Sequence, residues 1–157
     1  MTKKKFINHI LTSSEKETFE VAKRMGEGFS GGEVVLLIGE LGAGKTIFAK
    51  GLAAGLGVPH PERVNSPSFT LIKHYRGRLP FYHIDLYRID DPDEIFELGI
   101  SELIRPPNVI AIEWAEKLGV LTPLPAIRVR INHKDGEERE ILIEELTSTP
   151  YPARPDS

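Results

Sequence analysis

The sequence predicts an α/β fold, one domain whose sheet is part parallel and part antiparallel and is flanked by helices. Three observations predict it. The apolar runs "VVLLI" at 34–38 and "VIAI" at 109–112 have the unbroken, β-branched composition of parallel strands buried on both faces. A helical stretch at 44–56 follows the first run almost directly. Near the other end, "AIRVRIN" and "REILIEEL" alternate apolar and polar residues, the pattern of antiparallel strands with one wet face.

Each element has a local reason. Residues 4–11, "KKFINHIL", read as a first strand, and "TSSEKE" as a helix start in which a Ser or Thr cap precedes a Glu by three residues. Phe19, Val21, Ala22 and Met25 supply that helix with an apolar face, and the glycines at 26, 28, 31 and 32 end it. "VVLLI" is then a central strand, and "GLGVPHPE" closes the helix behind it with glycine and proline. The aromatic and β-branched segments "SFTLIKHY" and "LPFYHIDLYRI", joined through "RGR", read as an antiparallel hairpin, which makes the sheet mixed. "DPDEIFELGI" opens with first-turn helix chemistry and is expected to end at Gly99. "NVIAIEWAE" is the second buried strand, and the two alternating strands after it turn around Asp135 and Gly136. The domain is expected to span 1–146, with 147–157 as a loose tail.

At 157 residues and 17.5 kDa, the chain has the size of one ordinary domain, one that buries roughly 70% of its unfolded surface. Hydrophobic residues at 40% and charged residues at 27% are ordinary for a folded globular chain. The absence of cysteine excludes disulfides, thiolate metal sites and thiol nucleophiles, and fits a reducing compartment. The longest apolar run, Val34 to Ile38, is far too short to span a bilayer, and no secretory core follows the basic start, so a cytoplasmic protein without membrane contact is expected. A formal net charge of -3 argues against a strongly basic face for a nucleic-acid backbone. Any RNA in its biology would be carried by a partner.

The stretch "GELGAGKT" at 39–46 matches the Walker A pattern, with Gly39, four residues, then Gly44, Lys45 and Thr46. Glycines let the backbone curl so that successive N–H groups point at phosphate oxygens, and the following helix turns the positive end of its dipole to the same anion. Lys45 would reach the β- and γ-phosphates and Thr46 would offer its hydroxyl to Mg²⁺. A glycine turn is the bland alternative. Its position between a buried strand and a helix favours the phosphate cradle, residues Glu40, Leu41, Gly42, Ala43, Gly44, Lys45, Thr46 and Ile47.

Such a cradle needs an acid at a neighbouring strand end to hold the metal, and a group that positions water. Glu113 ends "VIAIE", and Asp85 lies in "FYHIDLYRI", where alternation places it on one face with His83 and Tyr87. Either acid could instead be a solvated strand-end carboxylate. The hydroxyl-rich "NSPSFT" offers Ser66, Ser68 and Thr70 as a nucleotide-sensing switch, or equally as a capped turn. Arg88 would neutralise developing charge or form a surface ion pair. Trp114, beside Glu113, would line the site or, as the simpler reading, sit in the core, and His83 is expected as a satisfied buried histidine rather than a ligand.

Together "GELGAGKT", "NSPSFTLIKHY", "YHIDLYRI" with "DEIFELGI", and "VIAIEWAEKL" resemble, in order and spacing, the TsaE (YjeE) family of small P-loop ATPases in bacterial threonylcarbamoyladenosine tRNA modification. The resemblance covers about residues 5–145. It implies a compact P-loop NTPase domain and ATP hydrolysis with Mg²⁺, weak in isolation. The partners it implies are TsaB and TsaD, which modify adenosine 37 of tRNA, so that tRNA is met through the complex. Position by position it makes Gly42, Gly44, Lys45 and Thr46 nucleotide ligands, Thr46 and Glu113 the metal partners, and Asp85 a carboxylate needed for hydrolysis. Ile47 and Ser68 stand where many relatives have threonine. Against a GTPase, "NHKD" at 132–135 has the wrong spacing for guanine recognition and reads as a hairpin turn. Against a small-molecule kinase, "RGR" at 76–78 makes a poor lid. A nucleotide-gated binding subunit with incidental turnover differs from the ATPase mainly in whether hydrolysis is required.

Overall fold

The computed structural model describes residues 2–65 and 71–148. The strands are β1 (Thr2–Thr12), β2 (Val34–Ile38), β3 (Ile72–Tyr75), β4 (Phe81–Asp85), β5 (Val109–Glu113), β6 (Ala126–His133) and β7 (Arg139–Ser148). The helices are α1 (Glu15–Glu27), α2 (Lys45–Gly55), α3 (Pro92–Glu97) and α4 (Ile100–Leu103), with 3₁₀ turns at Pro61–Arg63 and Ala115–Leu121. One seven-stranded sheet runs in the order β1-β7-β6-β2-β5-β4-β3.

The sheet is mixed, as the patterning predicts. β2 is central, parallel to β5 on one side and to β6 on the other, and β4 is parallel to β5. β3 pairs antiparallel with β4, β7 with β6, and β1 with β7. β7 runs on to Ser148, pairing Thr147 with Lys3; the rest of the expected tail, 149–157, lies outside the described residues.

The continuous apolar runs are explained by cover on both faces. Val35 and Leu37 of β2, with Val109 and Ala111 of β5, join Phe48, Leu52 and Ala22 in a core under α1 and α2. Val34, Leu36, Ile110 and Ile112 face the other way, onto Ile95, Ile100 and Leu118 of α3, α4 and the second 3₁₀ turn. Successive side chains alternate between faces, so a strand buried on both must be apolar at every position.

Two helical features depart from the sequence expectation. Gly99 does end α3, but its left-handed backbone (φ 71°) is at once the cap of the short helix α4. The stretch after Glu113 does not continue the strand: Trp114 takes a left-handed conformation (φ 59°) and a 3₁₀ turn follows. The cap of α1 is as expected, with Ser14 Oγ accepting from the Glu17 N–H at 3.1 Å.

Candidate nucleotide site

The site begins with strand register. Leu37 pairs with Glu113, and Glu113 with Asp85. The loop after Ile38 therefore opens beside both carboxylates, outside the carboxyl ends of parallel strands, where open α/β sheets receive ligands. A cleft of about 400 Å³ lies there, lined among others by Gly42, Gly44, Lys45, Thr46, Asp85 and Glu113.

The loop's glycines have separate reasons. A Cβ on Gly39 would stand 2.6 Å from the Ile131 carbonyl oxygen, so the loop leaves the sheet too close to β6 for any side chain. Gly44 caps α2 with φ 112°, a backbone conformation that L side chains rarely adopt. Ala43 N–H donates to the Glu40 carbonyl at 3.0 Å, closing a turn. From β7, Arg139 Nε donates to the Ala43 carbonyl at 2.9 Å and Nη2 to that of Gly42 at 3.5 Å. Because a trans peptide sets C=O and N–H on opposite sides, anchoring the Ala43 carbonyl also fixes the direction of the Gly44 N–H.

Lys45 is buried, and its Nζ donates to the carbonyls of Gly39 and, at 3.4 Å, Glu40. The same ammonium lies 3.7 Å from the centre of the Trp114 ring, a cation–π contact. Burial pushes the Lys45 pKa below its ordinary value, opposed by the carboxylates of Glu113, Glu116 and Asp85. Thr46 Oγ1 donates to Glu113, at 3.2 Å from Oε1 and 3.3 Å from Oε2. His83 Nε2 lies 2.6 Å from Glu113 Oε2. Asp85 Oδ1 accepts from the Tyr87 N–H at 2.9 Å.

The residues fit a magnesium nucleotide. Two buried carboxylates and a helix-start hydroxyl are hard oxygen donors beside a loop of curled backbone, and Mg²⁺ takes few protein oxygens when phosphates supply others. Among the described residues, no group of three or more His, Asp or Glu side chains is placed to hold a metal by itself.

Of the eight loop residues singled out from the sequence, Leu41, Gly42, Gly44, Lys45, Thr46 and Ile47 line the cleft. Glu40 meets Lys45 through its carbonyl, and Ala43 is buried in the core beneath the loop. Asp85 and Glu113 are 9% and 3% exposed, so neither is a solvated strand-end acid. Ser66, Ser68 and Thr70 lie outside the described residues; Leu71, next to them in sequence, lines the cleft. Arg88 also lines it. Trp114 does both: partly buried, it packs against the core and lines the cleft, with a left-handed backbone and Lys45 Nζ over its ring. "NHKD" ends β6 and enters the hairpin turn, with Glu138 N–H donating to the Asp135 carbonyl. Sequence reasoning missed Arg139, which stands 96 positions from Ala43 and has no local motif around it.

A family profile described as threonylcarbamoyl adenosine biosynthesis protein TsaE matches residues 12–141. The chain belongs to the TsaE family. It is 41% identical to the Bacillus subtilis protein named tRNA threonylcarbamoyladenosine biosynthesis protein TsaE, over 83% of this chain and 80% of that one. The Treponema pallidum protein of the same name is 36% identical, over 85% of this chain and 97% of the relative. Among solved structures, Bacillus subtilis YdiB superposes with a TM-score of 0.72 at 34% identity, covering 92% of this chain and 87% of its own. The TsaE match spans the loop and both carboxylates.

Proposed function

We propose that this protein binds ATP with Mg²⁺ in the 39–47 loop and hydrolyses it to ADP and phosphate, slowly when alone, in support of tRNA threonylcarbamoyladenosine formation at adenosine 37. It acts on a TsaB–TsaD complex in the cytoplasm and meets tRNA through that complex. The shared name of its TsaE relatives supports the pathway. No helix among the described residues is long and apolar enough to cross a membrane, which is compatible with that location. The observation that carries the chemical reading is the bond from Thr46, at the loop's end, to Glu113, with Asp85 in register beside it.

Backbone N–H groups of the loop and Lys45 Nζ hold the phosphates, for which Lys45 exchanges its carbonyl partners for phosphate oxygens. Thr46 and Glu113 would hold Mg²⁺, which when bound neutralises phosphate charge. Asp85 orders the attacking water, whose oxygen bonds to the γ-phosphorus as the β–γ bridge breaks and whose proton passes toward the carboxylate. Ser66, Ser68 and Thr70 serve as the segment that senses the γ-phosphate.

ATP titrations with and without Mg²⁺ test the reading. Lys45→Ala is expected to lose affinity in both conditions, and Thr46→Ala mainly the gain that Mg²⁺ brings. Wild-type protein that binds no ATP, or two variants that behave alike, would overturn the assignment. Capture of TsaB and TsaD is expected to depend on ATP.

A further inference from the structure

We propose that His83 is a positioning residue for the magnesium-dependent step, holding the Glu113 carboxylate in the orientation in which it meets Thr46; this rests on the Mg-ATP reading above. His83 is fully buried on β4. Phe81 lies 6.3 Å away with its ring nearly parallel, and Ala111 is its pairing partner on β5. A buried polar ring in such a place has a cost unless its nitrogens are satisfied. Among the described residues only one is: Nε2 meets Glu113 Oε2 at 2.6 Å, while Nδ1 has no hydrogen-bond partner there.

That asymmetry identifies what the ring is for. An ionised carboxylate only accepts, so the bond requires a proton on Nε2. Among the described residues Glu113 is the one hydrogen-bond partner of the ring. Residues two apart on a strand share a face, which puts His83 with Asp85 and Ala111 with Glu113. The methyl of Ala111 leaves the imidazole room to lean along the sheet toward Glu113. The carboxylate is then held from two directions, by the ring on Oε2 and by the Thr46 hydroxyl across both oxygens. Groups that orient a metal-binding carboxylate in this way act on the metal through it.

The test compares wild type with His83→Phe, which keeps a ring against Phe81 but donates nothing, and His83→Gln, whose amide nitrogen can replace Nε2. ATP binding is measured against Mg²⁺ concentration by calorimetry, with kcat, KM and thermal unfolding alongside. His83→Phe is expected to need about 10- to 100-fold more Mg²⁺ and to lose kcat rather than ATP affinity measured without metal. His83→Gln should recover most of the Mg²⁺ response. If His83→Phe does not fold, His83→Asn, whose amide reaches only the Nδ1 position, takes its place with the same expectation. A shifted melting temperature with an unchanged Mg²⁺ requirement, or no recovery by Gln, overturns the proposal while leaving Mg-ATP binding intact. Wild type without any Mg²⁺-dependent ATP binding overturns the underlying reading, and this proposal with it.

Discussion

Asp85 and Glu113 stand in register on neighbouring strands, yet their surroundings separate them. Glu113 is tied to Thr46 and His83, while Asp85 accepts from the backbone of Tyr87. Asp85→Asn keeps the side chain's shape and an acceptor for that N–H, so Mg-ATP binding should persist. Phosphate release in the presence of partners should fall by about 10²- to 10⁴-fold, the usual range for a lost acid–base group; unchanged turnover would remove Asp85 from the mechanism. Arg139 acts through geometry, its guanidinium spanning two carbonyls of the loop. Lysine keeps the charge but not the planar fork. Arg139→Lys should therefore weaken ATP binding, by about 1.5–3 kcal/mol if one charge-assisted bond to the loop is lost, as read by calorimetry.

The loop is only as firm as the elements behind it. α2 starts at Lys45, and α1 backs it at very short range: a Cβ on Gly51 would lie 2.3 Å from the Phe19 carbonyl oxygen, and one on Gly55 2.2 Å from that of Lys23. These are backbone atoms of a helix and cannot rotate aside. Gly51→Ala should force the helices apart and destabilise the fold by about 1–3 kcal/mol, seen as a lower urea midpoint. If stability is unchanged, the helices are not in contact as described. Below them, Arg78 ties the helix ends together, donating to the carbonyls of Phe29 and Gly26 at the end of α1 at 2.9 and 3.0 Å and to that of Gly55 at the end of α2 at 3.5 Å. At this scale the sequence reads unevenly. The α1 cap is local chemistry and could be read from "TSSEKE"; the crossing at Gly51 is a meeting of segments distant in sequence, and a glycine in a helix only hints at it.

In the whole molecule, the site joins the loop after β2, the ends of β4 and β5, and the start of β7, so a ligand there braces the sheet from centre to flank. Mg-ATP at a hundred times its Kd should stabilise the native state by about 2.7 kcal/mol. For a chain of this size that is a rise in melting temperature of about 5–10 °C, and Lys45→Ala should show little of it. Wild type with no such rise in saturating Mg-ATP would mean that the cleft does not take the nucleotide.

By itself the sequence determined what local chemistry encodes: the buried strands from unbroken apolar runs, the mixed sheet from the change to alternation, and the loop at 39–46 from glycine spacing between strand and helix. It also carried the family, through motifs kept in order. Tertiary structure alone decided which acids are buried beside the loop, that His83 grips one of them, that Trp114 underlies Lys45, and that Arg139 reaches the loop from 96 residues away. Register and strand order bring these groups together, and both are set by packing between segments far apart in the chain, which no local pattern records.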